Sequence, residues 1–454
     1  MTKTLSTKAI SMMHFRSAAF TAMLLALPLV ATSAAHAQSI DFQVLYDFTG
    51  ASPSSLSSDA SHGTTFNGGG GYGTVFEPSN LGTPLNTLYS FEGTAGNDGA
   101  GPVSLTVESN GALLYGVTQA GGDSACPGIP AQYQGCGTVY KLTPKTGKYE
   151  VLYRFTGGAD GYGPYGQLVL NQGDIYGTTF LGGTYGDCIQ GSACGTVFKL
   201  SKSGSKWLES VIWDFGQGND GAEPAAGVIF DKSGNIYGTT VAGGSGSGSP
   251  CGVQGHTGCG VVYELTPSAS GWIETILYNF QGLTDGGAPY SGVVMDHSGN
   301  LYGATALGGS GGGGTIYELS PSDGGWNFTA LYSFSGSGTG PSGQCPICTG
   351  PLASLTLGVA EGELALFGTT YNDGANGHGM AFEMALSTKT GIWTFWDLHD
   401  FTGGSDGGNV VSGLAAQPGV WLYGVTATGG ANGAGVLFGV TAGECGGPER
   451  CVRP

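Results

Sequence analysis

Residues 174–215 read DIYGTTFLGGTYGDCIQGSACGTVFKLSKSGSKWLESVIWDF, and this stretch decides the fold because its parts return in the same order along most of the chain. Leu/Ile-Tyr-Gly-x-Thr stands at 175–179 and again at 114–118, 236–240, 301–305, 366–370 (Phe367 in place of Tyr) and 422–426, with a worn copy at 61–65. Its glycines, Gly63, Gly116, Gly177, Gly238, Gly303, Gly368 and Gly424, are spaced by 53, 61, 61, 65, 65 and 56 residues. Such a period marks a repeat architecture.

Three further words keep the same pace. A glycine pair (Gly121-Gly122, Gly182-Gly183, Gly243-Gly244) follows the first word, and Gly-Thr-Val-Phe-like runs begin at Gly73, Gly137, Gly195, Gly260, Gly314, Gly379 and Gly435. Leu-Tyr-x-Phe or a close variant then ends at Phe91, Phe155, Phe215, Phe280, Phe334 and Phe401, with an orphan copy ending at Phe48. The aromatic and β-branched words, bounded by glycine, read as strands. A fourth strand, mostly led by proline, fits at 102–107, 164–170, 224–230, 289–295, 351–357 and 410–415. In the order of one repeat these are strand A (proline-led), B (Leu-Tyr-Gly), C (Gly-Thr-Val-Phe) and D (Leu-Tyr-x-Phe).

Four strands per unit, seven units and no helical period after the N-terminus predict an all-β protein: a seven-bladed β-propeller of four-stranded antiparallel blades over residues 38–442. The chain opens with a lone D strand at 41–48 and ends with A, B and C but no D. The N-terminal strand is therefore expected to join the last blade and close the ring, which removes an open sheet edge.

Residues 1–37 carry Lys3, Lys8 and Arg16, an apolar run at 18–30 and Ala35-His-Ala37, the pattern of a cleaved signal peptide. The run is shorter than a membrane span and is interrupted by Thr21 and Pro28, and no later segment is apolar enough to cross a bilayer. A net charge of −18 argues against nucleic acid as a partner. All ten cysteines fall in near neighbours, Cys126/Cys136, Cys188/Cys194, Cys251/Cys259, Cys345/Cys348 and Cys445/Cys451. In an exported chain these read as five short disulfides, the last forming a C-terminal tail at 443–454. Cys345-Pro-Ile-Cys348 has zinc-like spacing but no second ligand pair nearby, so no metal site is assigned. The location expected is extracytoplasmic, secreted or on the cell surface, and the protein is expected to be a monomer.

In a propeller the D-to-A and B-to-C loops share one face and the A-to-B and C-to-D turns the other. The A-to-B turns are short and stereotyped, as at 231–234 and 296–299, whereas the B-to-C loops of three consecutive blades run long and carry their own cysteine pairs. The D-to-A loops place Asp-Gly before strand A at Asp98, Asp160, Asp220, Asp285 and Asp406. As structure, each such aspartate accepts local N–H bonds while glycine takes the positive φ. As function, a partial ring of carboxylates holds calcium or meets hydroxyl-rich ligands. Calcium is the one cofactor this pattern suggests. Tyr162, Tyr165, Tyr185, Tyr290 and Tyr371 lie in or beside these loops and suit stacking on sugar rings. The aspartates with Tyr162, Tyr165 and Tyr290 form the candidate ligand site. Trp207, Trp272, Trp326 and Trp393 recur at the starts of D strands, away from a central pocket. No catalytic motif is present, and no catalytic residue is assigned.

The unit Asp-Gly-x-x-Pro, Gly-Asn-Leu-Tyr-Gly-x-Thr, Gly-Gly, Gly-Thr-Val-Phe-Lys-Leu and Leu-Tyr-x-Phe, clearest at 160–215 and 220–280, resembles the GloVer tandem-repeat family of exported bacterial proteins. The resemblance implies a surface-associated repeat protein, often with a C-terminal anchor, where this sequence shows Cys445 and Cys451. It brings no established activity. The function expected is an extracellular binding or interaction module acting through the D-to-A and B-to-C loop face on a glycan or envelope protein. The alternatives are an extracellular hydrolase or lyase acting on polysaccharide and a purely structural repeat.

Overall fold

The four words of the repeat become the four strands of one blade, in the order in which the chain presents them. In blade 3, strand A is split into Tyr162–Pro164 and Val169–Asn171, followed by strand B at Asp174–Leu181, C at Thr196–Ser203 and D at Lys206–Asp214. Seven such antiparallel blades form a seven-bladed β-propeller. The computed structural model describes residues 40–78, 85–93, 95–122, 126, 134–186, 188, 192–246, 258–336, 349–360, 363–416 and 421–442. The expected signal segment, the C-terminal tail and Cys251, Cys345, Cys348, Cys445 and Cys451 lie outside these residues. Among the described residues there is no helix long and apolar enough to cross a membrane.

The ring closes as the orphan word predicts. Strand Phe42–Asp47 pairs antiparallel with Val436–Thr441, with Phe42 opposite Val440 and Asp47 opposite Val436. It supplies strand D of blade 7, whose other strands come from the far end of the chain.

One contact repeats at all seven blade junctions and explains why the words recur together. The phenylalanine ending strand D of each blade meets the ring of Gly-Thr-Val-Phe in the next: Phe91 with Tyr140, Phe155 with Phe198, Phe215 with Tyr263, Phe280 with Tyr317, Phe334 with Phe382, Phe401 with Phe438 and Phe48 with Phe76, at 4.9–5.6 Å between centroids. Each pair contributes about 0.5–1.5 kcal/mol beyond its area burial. The second ring of each pair lies over the glycine of Leu-Tyr-Gly in its own blade, and a Cβ on Gly177 would sit 2.6 Å from Phe198. The word Leu-Tyr-Gly therefore requires glycine because the Gly-Thr-Val-Phe ring occupies the space of a side chain.

The threonines of words B and C also meet, Thr65 with Thr74 at 2.8 Å, Thr118 with Thr138 at 2.9 Å and Thr179 with Thr196 at 2.9 Å, a satisfied polar pair inside each sheet. The A strands are less continuous than expected. The stretches at 224–230 and 410–415 resolve into Gly221–Ala222 with Ile229–Phe230, and Gly408–Val410 with Ala415–Ala416; 289–295 keeps only Val294–Met295, and 351–357 shifts to Thr356–Ala360. Side chains of the A and B strands bond sideways to the A segment of the next blade. Ser54 donates to the Pro102 carbonyl, Ser104 to Gly166, Thr178 to Ala226, Thr239 to Ser291 and Thr369 to Ser412, at 2.6–3.0 Å. These bonds link blade to blade where ladder pairing lapses.

Near the outer edge, one register position separates the blades. Tyr149, Glu209, Glu274, Phe328, Phe395 and Phe42 each stand opposite the equivalent strand-C residue, Leu142, Leu200, Leu265, Leu319, Met384 and Val440. Four of them stack on the D strand of the preceding blade: Tyr149 on Tyr89, Phe328 on Tyr278, Phe395 on Tyr332 and Phe42 on His399, at 3.6–4.3 Å. Glu209 and Glu274 occupy the same position in blades 3 and 4.

Candidate functional site

Each Asp-Gly aspartate is committed to its own loop. Asp98 accepts the Tyr89 hydroxyl at 2.7 Å and the Glu92 N–H at 3.1 Å; Asp160 accepts Tyr153 at 3.0 Å and the Thr156 N–H at 2.8 Å. Asp285 accepts Tyr278 at 3.1 Å and the Gln281 N–H at 2.8 Å, Asp220 accepts the Gly216 N–H at 3.0 Å, and Asp406 accepts the Thr402 N–H at 2.9 Å beside His399 Nε2 at 3.1 Å. The carboxylate thus ties the second residue of Leu-Tyr-x-Phe to the chain just past its phenylalanine. Burial lifts the Asp98 and Asp220 carboxyls above their ordinary range. Burial opposes the charge of Asp406 as well, but hydrogen bonds from Thr402 and His399 outweigh it and hold that carboxyl low.

The two loops without Asp-Gly borrow a substitute. After Phe334, Asp373 from the B-to-C loop of blade 6 accepts the Ser335 hydroxyl at 3.0 Å. After Phe48, Asn67 from the B-to-C loop of blade 1 accepts the Ser52 N–H at 3.0 Å.

The D-to-A and B-to-C loops lie together. The Cys126–Cys136 and Cys188–Cys194 disulfides are formed, and Cys259 is disulfide-bonded. Cys126 and Cys136 pack against Gly157 of the following D-to-A loop, and Gly216 packs against Tyr185 of a B-to-C loop.

On this face the starts of the A strands share one backbone conformation. The residue before the proline position has positive φ in Gly101 (62°), Gly163 (61°), Glu223 (61°), Ala288 (51°) and Asn409 (56°). Glycine adopts this conformation readily, whereas glutamate, alanine and asparagine carry strain there. Tyr165 and Tyr290 follow two residues later in blades 3 and 5. Tyr290 packs on the cluster of Ala225, Val241, Ala288 and Leu307 with Phe180, and Tyr165 lies 6.3 Å from the Phe180 ring. Tyr165 is 40% exposed, although the blades around it leave its phenol poorly hydrated.

Tyr371, from the B-to-C loop of blade 6, completes the group. The Tyr165 phenol is raised first by burial and then by Tyr371, and that of Tyr290 by burial and then by Glu223 and Tyr165. All three therefore stay neutral, as hydrogen-bonding rings. Beside them Asn409 donates to Asn372 at 2.6 Å and accepts from Thr428 at 2.7 Å.

Of the residues singled out from the sequence, the structure brings Tyr165, Tyr290 and Tyr371 together and keeps the aspartates in separate loops. Tyr162 is buried, with its hydroxyl 2.7 Å from Ser192. Glu223, Phe180, Asn372 and Asn409 were not singled out. The available signal was the loss of glycine before strand A, where blades 2 and 3 read Gly-Pro and blades 4 and 7 read Glu-Pro and Asn-Val. Among the described residues no three His, Cys, Asp or Glu side chains converge in a metal-binding group.

Residues 129–253 match the Gloeobacter/Verrucomicrobia repeat. No curated protein matches the chain by sequence. Among solved structures, an ancestral GH74 enzyme aligns with a TM-score of 0.53 at 12% identity, covering 89% of this chain and 49% of the enzyme, so the chain spans about half the length of that structure. A protein from Bacteroides uniformis assigned as a 6-phosphogluconolactonase aligns with a TM-score of 0.44 at 14% identity over 85% of this chain and 92% of its own. TolB from Acinetobacter baumannii gives 0.38 at 12% identity, over 72% and 59%. At these identities the GH74 likeness speaks for the fold alone, and the other two carry no argument. The matched repeat runs through blades of one construction, and the chain is a seven-bladed β-propeller that carries the Gloeobacter/Verrucomicrobia repeat at residues 129–253.

Proposed function

We propose that the protein is an exported binding module whose D-to-A and B-to-C loop face takes an extracellular glycan or envelope protein at the mouth of the propeller axis. The observation that carries this reading is the convergence of Tyr165, Tyr290 and Tyr371 from three different blades, with the Asn372–Asn409 pair and Glu223 alongside. Neutral aromatic rings beside amide and carboxylate groups suit a flat, hydroxyl-bearing ligand: rings stack, and polar groups orient. Export is supported by the leader pattern of residues 1–37 and by disulfides, which persist in oxidising compartments.

A polysaccharide hydrolase or lyase would need a pair of carboxylates across the mouth. The five loop aspartates instead accept hydrogen bonds within their own turns, which favours binding over turnover. The test is a glycan and envelope-component array probed with the oxidised chain, with and without calcium, scoring retention and released fragments. Retention that is lost in Tyr165→Ala and Tyr290→Ala supports the module. Release of fragments puts the enzyme in its place, and retention unaffected by both substitutions removes the axial mouth as the site.

A further inference from the structure

The opposite face, built from the short A-to-B turns, departs from its own symmetry at one junction. In blades 4 and 5 the tyrosine of Leu-Tyr-Gly is committed twice over. The Tyr237 hydroxyl donates to Asp231 at 3.3 Å and Glu264 at 2.9 Å, and its ring meets Trp326 of the next blade at 6.3 Å. Tyr302 donates to Asp296 at 3.2 Å and meets Trp393 at 5.7 Å. Between blades 3 and 4, Phe230 covers Tyr176 at 4.8 Å.

Between blades 2 and 3 this filling is aliphatic in place of aromatic. The position of Phe230 is taken by Leu170, as the register shows: Phe230 pairs with Ile236 and Leu170 with Ile175. Among the described residues neither Tyr115 nor Trp207 has an aromatic ring against it, although both pack in one core cluster with Leu170. An open cleft of about 540 Å³ results, bordered by Tyr115, Trp207, Glu108, Gln167, Leu170 and Gln172. The volume falls within the range of small-molecule sites, about 300–1,000 Å³. Burial first, and then the Glu108 and Glu150 charges, raise the Tyr115 phenol. Gln172 is presented on a tight Gln172-Gly173 turn, with φ of 54° and 89°, in place of the longer aspartate-locked turns of blades 4 and 5.

We infer that this cleft is a second binding site, specific for a neutral mono- or disaccharide. A pyranose ring stacks on the partly exposed Trp207, beside the place that a packed aromatic holds at sister junctions. Its hydroxyls meet the Tyr115 hydroxyl, the Glu108 carboxylate and the Gln172 amide, while the Gln167 amide donates to the Leu105 carbonyl at 3.2 Å. The carboxylates and the chain's net charge of −18 select against acidic sugars. The inference stands apart from the reading of the axial mouth, since the two sites lie on opposite faces.

The test titrates the full oxidised chain with glucose, galactose, xylose and cellobiose, with galacturonic acid as the anionic comparison, by saturation-transfer NMR and calorimetry. At least one neutral sugar is expected to bind, and Trp207→Ala to weaken it by about tenfold or more. Leu170→Phe installs the ring that blade 4 uses, so it is expected to fold at least as well as the parent and to abolish binding. Tyr165→Ala, at the axial mouth, is expected to leave binding here unchanged. The inference is overturned if none of these neutral sugars binds, if Leu170→Phe binds as the parent does, or if Tyr165→Ala rather than Leu170→Phe removes binding.

Discussion

Replacing Glu274 tests how the blades are held apart and together. At its register position most blades place an aromatic ring that stacks on the preceding blade, whereas blade 4 buries a carboxyl whose Oε1 has no hydrogen-bond partner. Burial, with a smaller contribution from Asp220, pushes Glu274 up to about 8 from an ordinary value of 4.5. A carboxyl raised on folding holds its proton in the native state, so its stabilising share is complete below the unfolded value and is lost as pH rises through the folded one. At about 1.4 kcal/mol per pKa unit, the ceiling of that loss between pH 4.5 and pH 8 is about 5 kcal/mol, and water reaching the partly exposed group reduces it to about 2–3 kcal/mol. Glu274→Gln removes the titration. Urea unfolding of the oxidised protein should then place the variant about 2–3 kcal/mol above wild type at pH 8.5, with the difference shrinking to within about 1 kcal/mol at pH 4.5. Comparing the two profiles cancels the titration of the other carboxylates. Parallel profiles for wild type and variant would refute the reasoning. Glu274→Phe, the residue that blades 5 and 6 use, should also flatten the pH dependence.

Other consequences follow from the same architecture. Gly238→Ala drives a Cβ into the Tyr263 ring and should lower stability by about 1–3 kcal/mol in urea unfolding; an unchanged midpoint would show that the ring yields freely. Removing residues 40–48 takes strand D from blade 7 and the Phe48–Phe76 contact from the closing junction, so cooperative thermal unfolding should be lost and a peptide of those residues added in trans should restore it. Reducing Cys126–Cys136 and Cys188–Cys194, which close separations of 10 and 6 residues, should cost at most about 2–3 kcal/mol each. It should expose the loop face to protease while far-UV circular dichroism keeps its β signature.

The blades were legible along the chain because each word carries a constraint that repeats: the glycine of Leu-Tyr-Gly makes room for a ring, the phenylalanine of Leu-Tyr-x-Phe packs on the next such ring, and Asp-Gly closes the turn. Local chemistry repeated seven times is legible in one dimension. The orphan strand at the N-terminus announced closure for the same reason. Which residues from different blades meet is set by the folded ring alone. Nothing in the spacing shows that Tyr165, Tyr290 and Tyr371 share one end of the axis while Tyr162 turns inward to Ser192. Nor does it show that Asp373 serves a loop almost forty residues away, or that Leu170, where blade 4 has Phe230, packs beside Tyr115. Those juxtapositions depend on how the blades turn about a common axis, so they become visible only once the ring has closed.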